Sequence, residues 1–259
     1  MRTLIQIAAG VMVTALLGFV VLAQPTVVAL DYRAFYCAGM AVRQHENPYH
    51  TASLRQCELG KTDAQYRSRL PHTTLPAPQP LYDIAFFALL SGLPFGAAKA
   101  LWGAIIGAAI FTTVFSLVRL TGLSPPIVFA ISSMALIGNT LALGQIVPIY
   151  TAAAASAALL VKQGRPAWAG VAAIAALIEP HLGLPICIAL AIWSPRSRPA
   201  LAIGCGLLAV VAVAAGGVQT NIEYVTKVLP AHALSELPSD GQLSLSVIMH
   251  ALHVPDEAA

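Results

Sequence analysis

A carboxylate that directly follows a bilayer-length apolar run is well placed to act as a base on a membrane-anchored substrate, and Asp31 is such a residue. The run extends from Leu4 to Leu30, so Asp31 falls where a spanning helix would leave the hydrocarbon. Water reaches that depth and keeps the group ionised, while lipid-borne head groups lie alongside. The plainer alternative is an interfacial helix. Tyr32, Phe35, Tyr36, Met40 and Val42 are spaced along one side of a short helix that Asn47-Pro48 ends, and aromatics at head-group level anchor such helices without doing chemistry. Two further polar breaks stand out. Gly144-Gln145 separates two apolar runs, either as a capped helix end or as part of a site. Glu179-Pro180-His181 interrupts the run from Pro166 to Trp193, where an acid and an imidazole are costly unless they face a polar cavity or, as a structural kink, bond to backbone. Neither HxxxH nor HExxH occurs, and there is no GxSxG, P-loop or dinucleotide fingerprint, so no metal or cofactor is implied.

The elements that must position these residues follow from composition. Of 259 residues, 58% are hydrophobic and 10% charged, which excludes a soluble globular class and predicts an all-α, polytopic transmembrane bundle over residues 1–259. The basic residues flank loops rather than forming a stripe with interleaved aromatics, so nucleic-acid binding is unsupported. Polar residues from His50 to Pro80, ending in Leu-Pro-Ala-Pro-Gln-Pro-Leu-Tyr-Asp, read as an external loop with one helical turn or two. Leu81 to Leu93 is too short to span upright and reads as a half-helix. Crossings are expected over 97–118, 125–143, 145–161 and 199–215, with an amphipathic, polar segment outside from Gly216 to Ala259. Cys37 and Cys57 share the first loop, where they form a disulfide if it faces an oxidising compartment and stay free thiols if it does not.

Positive charge in short loops is retained on the cytoplasmic side. Arg2, Arg119, Lys162 with Arg165, and Arg196 with Arg198 are all internal in one arrangement: the half-helix does not cross, and Pro166 to Trp193 goes up and returns as a hairpin bent at Pro180. Asp31, Gln145, the Glu179–His181 bend and the segment from Gly216 then lie together at the outer face.

With those residues laid out, the chain resembles glycosyltransferase family 87, membrane enzymes of the GT-C type that use polyprenyl-phosphate sugars. The resemblance is carried by D-x-x-x-[FY]-Y-x-A-G at Asp31 to Gly39 with N-P-Y at Asn47 to Tyr49, L-P-F at Leu93 to Phe95, and L-G-Q-I-x-P at Leu143 to Pro148. G-R-P-x-x-A-G, continuing into I-x-P-H-L-x-L-P at Ile178 to Pro185, completes it. It implies a GT-C-like fold with Asp31 as the catalytic aspartate of the first external loop. Two departures accompany it: Glu179 stands where the family usually carries lysine, and the chain stops soon after Asp240-Gly241-Gln242, so a fragment, a short variant or a degenerate copy is expected.

The resemblance implies an inverting, metal-independent hexosyl transfer, mannose-like, from a polyprenyl-phosphate sugar to a lipid or glycan acceptor at the outer membrane face. Such a reaction needs a base on the acceptor hydroxyl and donors on the departing phosphate. Asp31 is the base, with Arg33, Gln145, Glu179, His181 and Gln242 against donor and phosphate, and Tyr36 and Tyr49 stacking on sugar or acceptor. Two other classes stay open. A transporter would show an inverted repeat, and the loop over residues 31–80 has no counterpart in the second half; a non-catalytic membrane partner would be indifferent to loss of Asp31.

Overall fold

The computed structural model describes residues 2–24, 29–60, 77–136 and 138–236, and these form helices and turns with no strand. In chain order the helices are α1 (Arg2–Ala23), α2 (Leu30–Arg43), α3 (Thr51–Gly60), α4 (Leu81–Leu90), α5 (Phe95–Thr121), α6 (Pro125–Leu136) and α7 (Gly138–Leu143). They continue as α8 (Val147–Lys162), α9 (Pro166–Ala175), α10 (Pro180–Trp193), α11 (Arg198–Glu223) and α12 (Leu229–Glu236). Among the described residues, two helical stretches, Phe95–Thr121 and Pro195–Leu234, are long and apolar enough to cross a membrane. The protein is an all-α membrane helical protein.

Small residues decide how the first long pair packs. Gly10, Gly18, Gly103 and Gly107 recur at multiples of four, which leaves one face of each helix without side chains and lets two backbones meet, as in small-xxx-small membrane pairs. A Cβ at Gly18 would overlap the Gly103 backbone, one at Gly107 would overlap Thr14, and one at Gly10 would meet Phe111. Residue numbers rise on α1 as they fall on α5, so the two are antiparallel. The end of α1 and the start of α5 therefore lie at one end of the bundle, where Lys99 Nζ donates to the Gln24 carbonyl at 3.1 Å. The described residues between them, α2 to α4, stay at that end.

Side-chain contacts order the remaining helices in the same way. Thr113 pairs with Thr151 at 3.4 Å and Ser116 with Ser156 at 3.5 Å, while Lys162 Nζ donates to the Arg119 and Leu120 carbonyls at 3.3 and 2.8 Å. Numbers rise together, so α8 runs parallel to α5 and α6–α7 must return between them. Next, Gly183 packs on the Ala176 backbone and the Cys187 thiol donates to Ala173 O at 3.4 Å, which makes α9 and α10 an antiparallel hairpin folded at Glu179-Pro180. Ser197 then donates to Pro166 O at 2.9 Å and closes the hairpin's open end.

Four expectations change in detail. The apolar run ahead of Asp31 does not continue unbroken: α1 ends at Ala23, and Ala29, at φ 47°, starts α2, so Asp31 lies in the first turn of a new helix. The loop after Tyr49 holds more than two turns, because α3 is ten residues long. The crossing expected over 145–161 is a 16-residue helix, about 24 Å long against a hydrocarbon core of about 30 Å. Finally, the amphipathic stretch from Gly216 to Glu236 is helical rather than a loop. Val218, Ile222, Val225 and Leu229 carry the apolar spacing onward, and Asn221 Nδ2 bonds the Ala212 and Gly217 carbonyls, at 3.0 and 2.7 Å, across a kink where Gly217 takes φ 75°.

Candidate active site

The core beneath the loop-bearing end is aromatic. Tyr32 of α2 stacks on Trp102 of α5 with centroids 5.8 Å apart, Phe87 of α4 meets Trp102 at 5.0 Å and Phe35 at 5.0 Å, and Tyr36 meets Phe95 at 5.1 Å. Trp102 Nε1 also donates to the Gly144 carbonyl at 2.8 Å. Gly144 is needed twice over, because its φ is 72° and a Cβ there would stand 2.8 Å from the Tyr32 Cβ. This contact draws Gly144 against Tyr32, and their chain neighbours Gln145 and Asp31 come together as a result.

The Gln145 amide lies beside the Asp31 carboxylate, close enough to favour its ionised form, and the Thr140 hydroxyl donates to Gln145 Oε1 at 3.4 Å on the other side of the amide. Asp31 is half-buried in the first turn of α2, outside the spanning helices. Burial pushes its carboxyl above the ordinary aspartate range, and the neighbouring Gln145 amide partly offsets that by favouring the ionised form. The helix N-terminus also favours a negative charge there. The arrangement is an oriented carboxylate with raised basicity, as a general base at neutral pH requires.

A second polar group lies at the same end. Glu179 Oε2 is 3.5 Å from His181 Nδ1, with the acid side chain 14% exposed and the imidazole 70% exposed. The Tyr82 hydroxyl donates to Leu177 O at 2.8 Å and fastens the start of α4 to the break. Asp83 is consequently near enough to Glu179 for their charges to interact, and its Oδ2 is buried without a hydrogen-bond partner. Among the described residues no hydrogen bond or ion pair joins Asp31 to His181. Nor do three His, Cys, Asp or Glu gather as a metal-binding group among them.

Three residues expected at a ligand face inward instead. Arg33 is 3% exposed and lies 3.9 Å from Glu58, so a lipid phosphate could reach it only by opening the core. The Tyr36 hydroxyl donates to Leu93 O at 2.9 Å, and the Tyr49 hydroxyl to Gln79 O at 2.8 Å while its ring stacks on Tyr224 at 5.5 Å. These rings pack the loop rather than line an open surface. A bridge joins Cys37 to Cys57, with Cα atoms 5.7 Å apart, and fixes α3 on α2. Gln242 lies outside the described residues.

Asp83, Asn47, His50 and Glu223 were assigned no site role from the sequence. Asn47 Nδ2 donates to Glu223 Oε2 at 2.8 Å, and His50 Nε2 lies 3.3 Å from Glu223 Oε1, tying the first loop to the end of α11. Asp83 had a signal: it is a carboxylate in the first turn of an apolar helix just after a proline-rich stretch.

Residues 80–258 match the model of glycosyltransferase family 87. No curated protein and no solved structure matches the chain. The matched stretch contains Gln145, the Glu179–His181 bend and Gln242, and it begins after Asp31 and Tyr49. Since it spans more than half of the chain, the protein belongs to glycosyltransferase family 87 and is a membrane glycosyltransferase.

Proposed function

We propose that the protein moves a hexosyl, mannose-like unit from a polyprenyl-phosphate sugar to a lipid or glycan acceptor at the outer face of the cytoplasmic membrane, with Asp31 as the base. The observation that carries this reading is the half-buried Asp31 carboxylate set beside the Gln145 amide at the end of the bundle opposite the basic turns. Asp31 takes the acceptor hydroxyl proton as the acceptor oxygen bonds to the anomeric carbon from the face opposite the phosphate. The bond from that carbon to the phosphate oxygen breaks, its electron pair leaves with the lipid phosphate, and the configuration inverts. His181, 70% exposed, and Gln145 are the donors closest in character to what the departing phosphate needs. A phosphate monoester is a stable leaving group, so the step as written requires no metal.

A purified sample in proteoliposomes, given radiolabelled polyprenyl-phosphate mannose and an extract of membrane glycolipids, is expected to yield labelled product of inverted configuration. Transfer from a nucleotide sugar in the absence of any polyprenyl phosphate would refute the donor assignment. A non-catalytic role is the second reading, favoured by Glu179 at a position where the resemblance implies lysine.

A further inference from the structure

The sequence of α8 leaves a slot on its lipid-facing side. Ala154, Ala157 and Ala158 are small and spaced to share one face, and α10 sets Ile186, Leu190 and Trp193 opposite them. Because α9 pairs with both neighbours, α8 and α10 stand apart, and the gap is a cavity of about 430 Å³ with Ser194 as its polar edge. That volume falls within the roughly 300–1,000 Å³ usual for small-ligand sites.

The mouth of this cavity is at the basic end. Ser194 leads directly into Arg196 and Arg198, both exposed. Arg198 Nε donates to Ala191 O at 2.7 Å, which holds its guanidinium beside the turn of α10 that lines the cavity. Lys162 and Arg165 follow the last residue of the α8 wall, with Lys162 turned toward the carbonyls that end α5. The Ser197–Pro166 bond keeps the two basic turns adjacent. Against these cations stands no carboxylate at this end among the described residues. Asp31, Glu46, Glu58, Asp83, Glu179 and Glu223 all lie at or toward the opposite end, as the helix directions require, and so does α12, which carries His232 near His181 and ends at Glu236. Trp193, 80% exposed at the rim, is the side chain that membrane interfaces favour.

We propose that the groove between α8 and α10 binds one anionic phospholipid of the leaflet at the basic end, with an acyl chain in the alanine-lined slot and the phosphate on Arg196 and Arg198. Charge complementarity selects the occupant. A zwitterionic lipid would fill the slot equally well but would bring its own cation to a mouth already positive, whereas an anionic head group neutralises it. Retention of charge in short loops accounts for the arginines but not for a chain-width cavity ending beside them.

Native mass spectrometry of the intact protein, released from detergent containing equimolar phosphatidylglycerol, phosphatidylcholine and polyprenyl phosphate, tests this. One phosphatidylglycerol should persist at collision energies that strip the other two. Arg196→Gln and Arg198→Gln should each weaken its retention about fivefold, with helical content unchanged. Ala158→Trp, which fills the slot, should abolish the persistent adduct. Equal retention of phosphatidylcholine, preferential retention of polyprenyl phosphate, or indifference to the arginine variants would each overturn the proposal. The readout is binding at the basic end, so it is unaffected by whether Asp31 is a catalytic base.

Discussion

At the scale of single residues, the properties of Asp31 depend on one neighbour. Burial raises its carboxyl above the ordinary aspartate range, and the Gln145 amide opposes that rise. A base must be deprotonated, so sugar transfer should fail on the acid side of the profile with a midpoint above an unperturbed aspartate near 4. Replacing Gln145 with Ala removes the amide that favours the charged form. Its acid limb should move to higher pH, and the loss of kcat/KM should be greatest at low pH. An unshifted limb measured in reconstituted membranes would separate the two side chains in function. The Asp31–Gln145 pairing was legible only as two polar breaks assigned to one face. Its cause, a glycine held against Tyr32 and capped by Trp102, depends on contacts between residues more than 40 positions apart, which no local spacing encodes. The inward turn of Arg33 was illegible for the same reason: its partner Glu58 is supplied by the fold of the disulfide-closed loop.

Whole elements were more legible than side chains, because apolar length and glycine spacing are local signals. The bend at Glu179-Pro180 and the non-crossing length of α4 were both readable in this way. By contrast, the continuation of α11 through Gly217 was hidden by its polar composition, since Gln219, Asn221, Glu223 and Lys227 resemble a loop when the apolar positions between them are not counted together. Glycine also sets the most sensitive contact. A side chain at Gly103 would meet the Gly18 backbone, which cannot yield as a flexible side chain would. Gly103→Val should therefore destabilise the α1–α5 pair by about 1–3 kcal/mol, the usual cost of overpacking, whereas the same change at Gly206, which has open space around it, should have little effect. Thermal unfolding in detergent, followed by circular dichroism, compares the two directly.

For the molecule as a whole, the helix directions separate its charges. Basic turns at Arg119, Lys162, Arg165, Arg196 and Arg198 occupy one end, and the polar breaks occupy the other. Retention of positive charge in the cytoplasm then orients the bundle. In cells with Cys187 and Cys205 changed to Ala, Ala52→Cys should react with an impermeant thiol reagent while Gln163→Cys reacts only after permeabilisation; the reverse pattern would invert the orientation. The family match covers the breaks at Gln145 and Glu179–His181 but not Asp31, which makes Asp31 the residue on which the mechanism most depends. The most direct measurement is the single-turnover rate of Asp31→Asn at saturating polyprenyl-phosphate sugar, beside a donor-binding isotherm for the same sample. Loss of the base should lower the rate about 10²–10⁴-fold while donor affinity and helical content stay near those of the unsubstituted protein. A rate within about twofold of the unsubstituted protein, far below the usual contribution of a general base, would contradict Asp31 as the base of this glycosyltransferase.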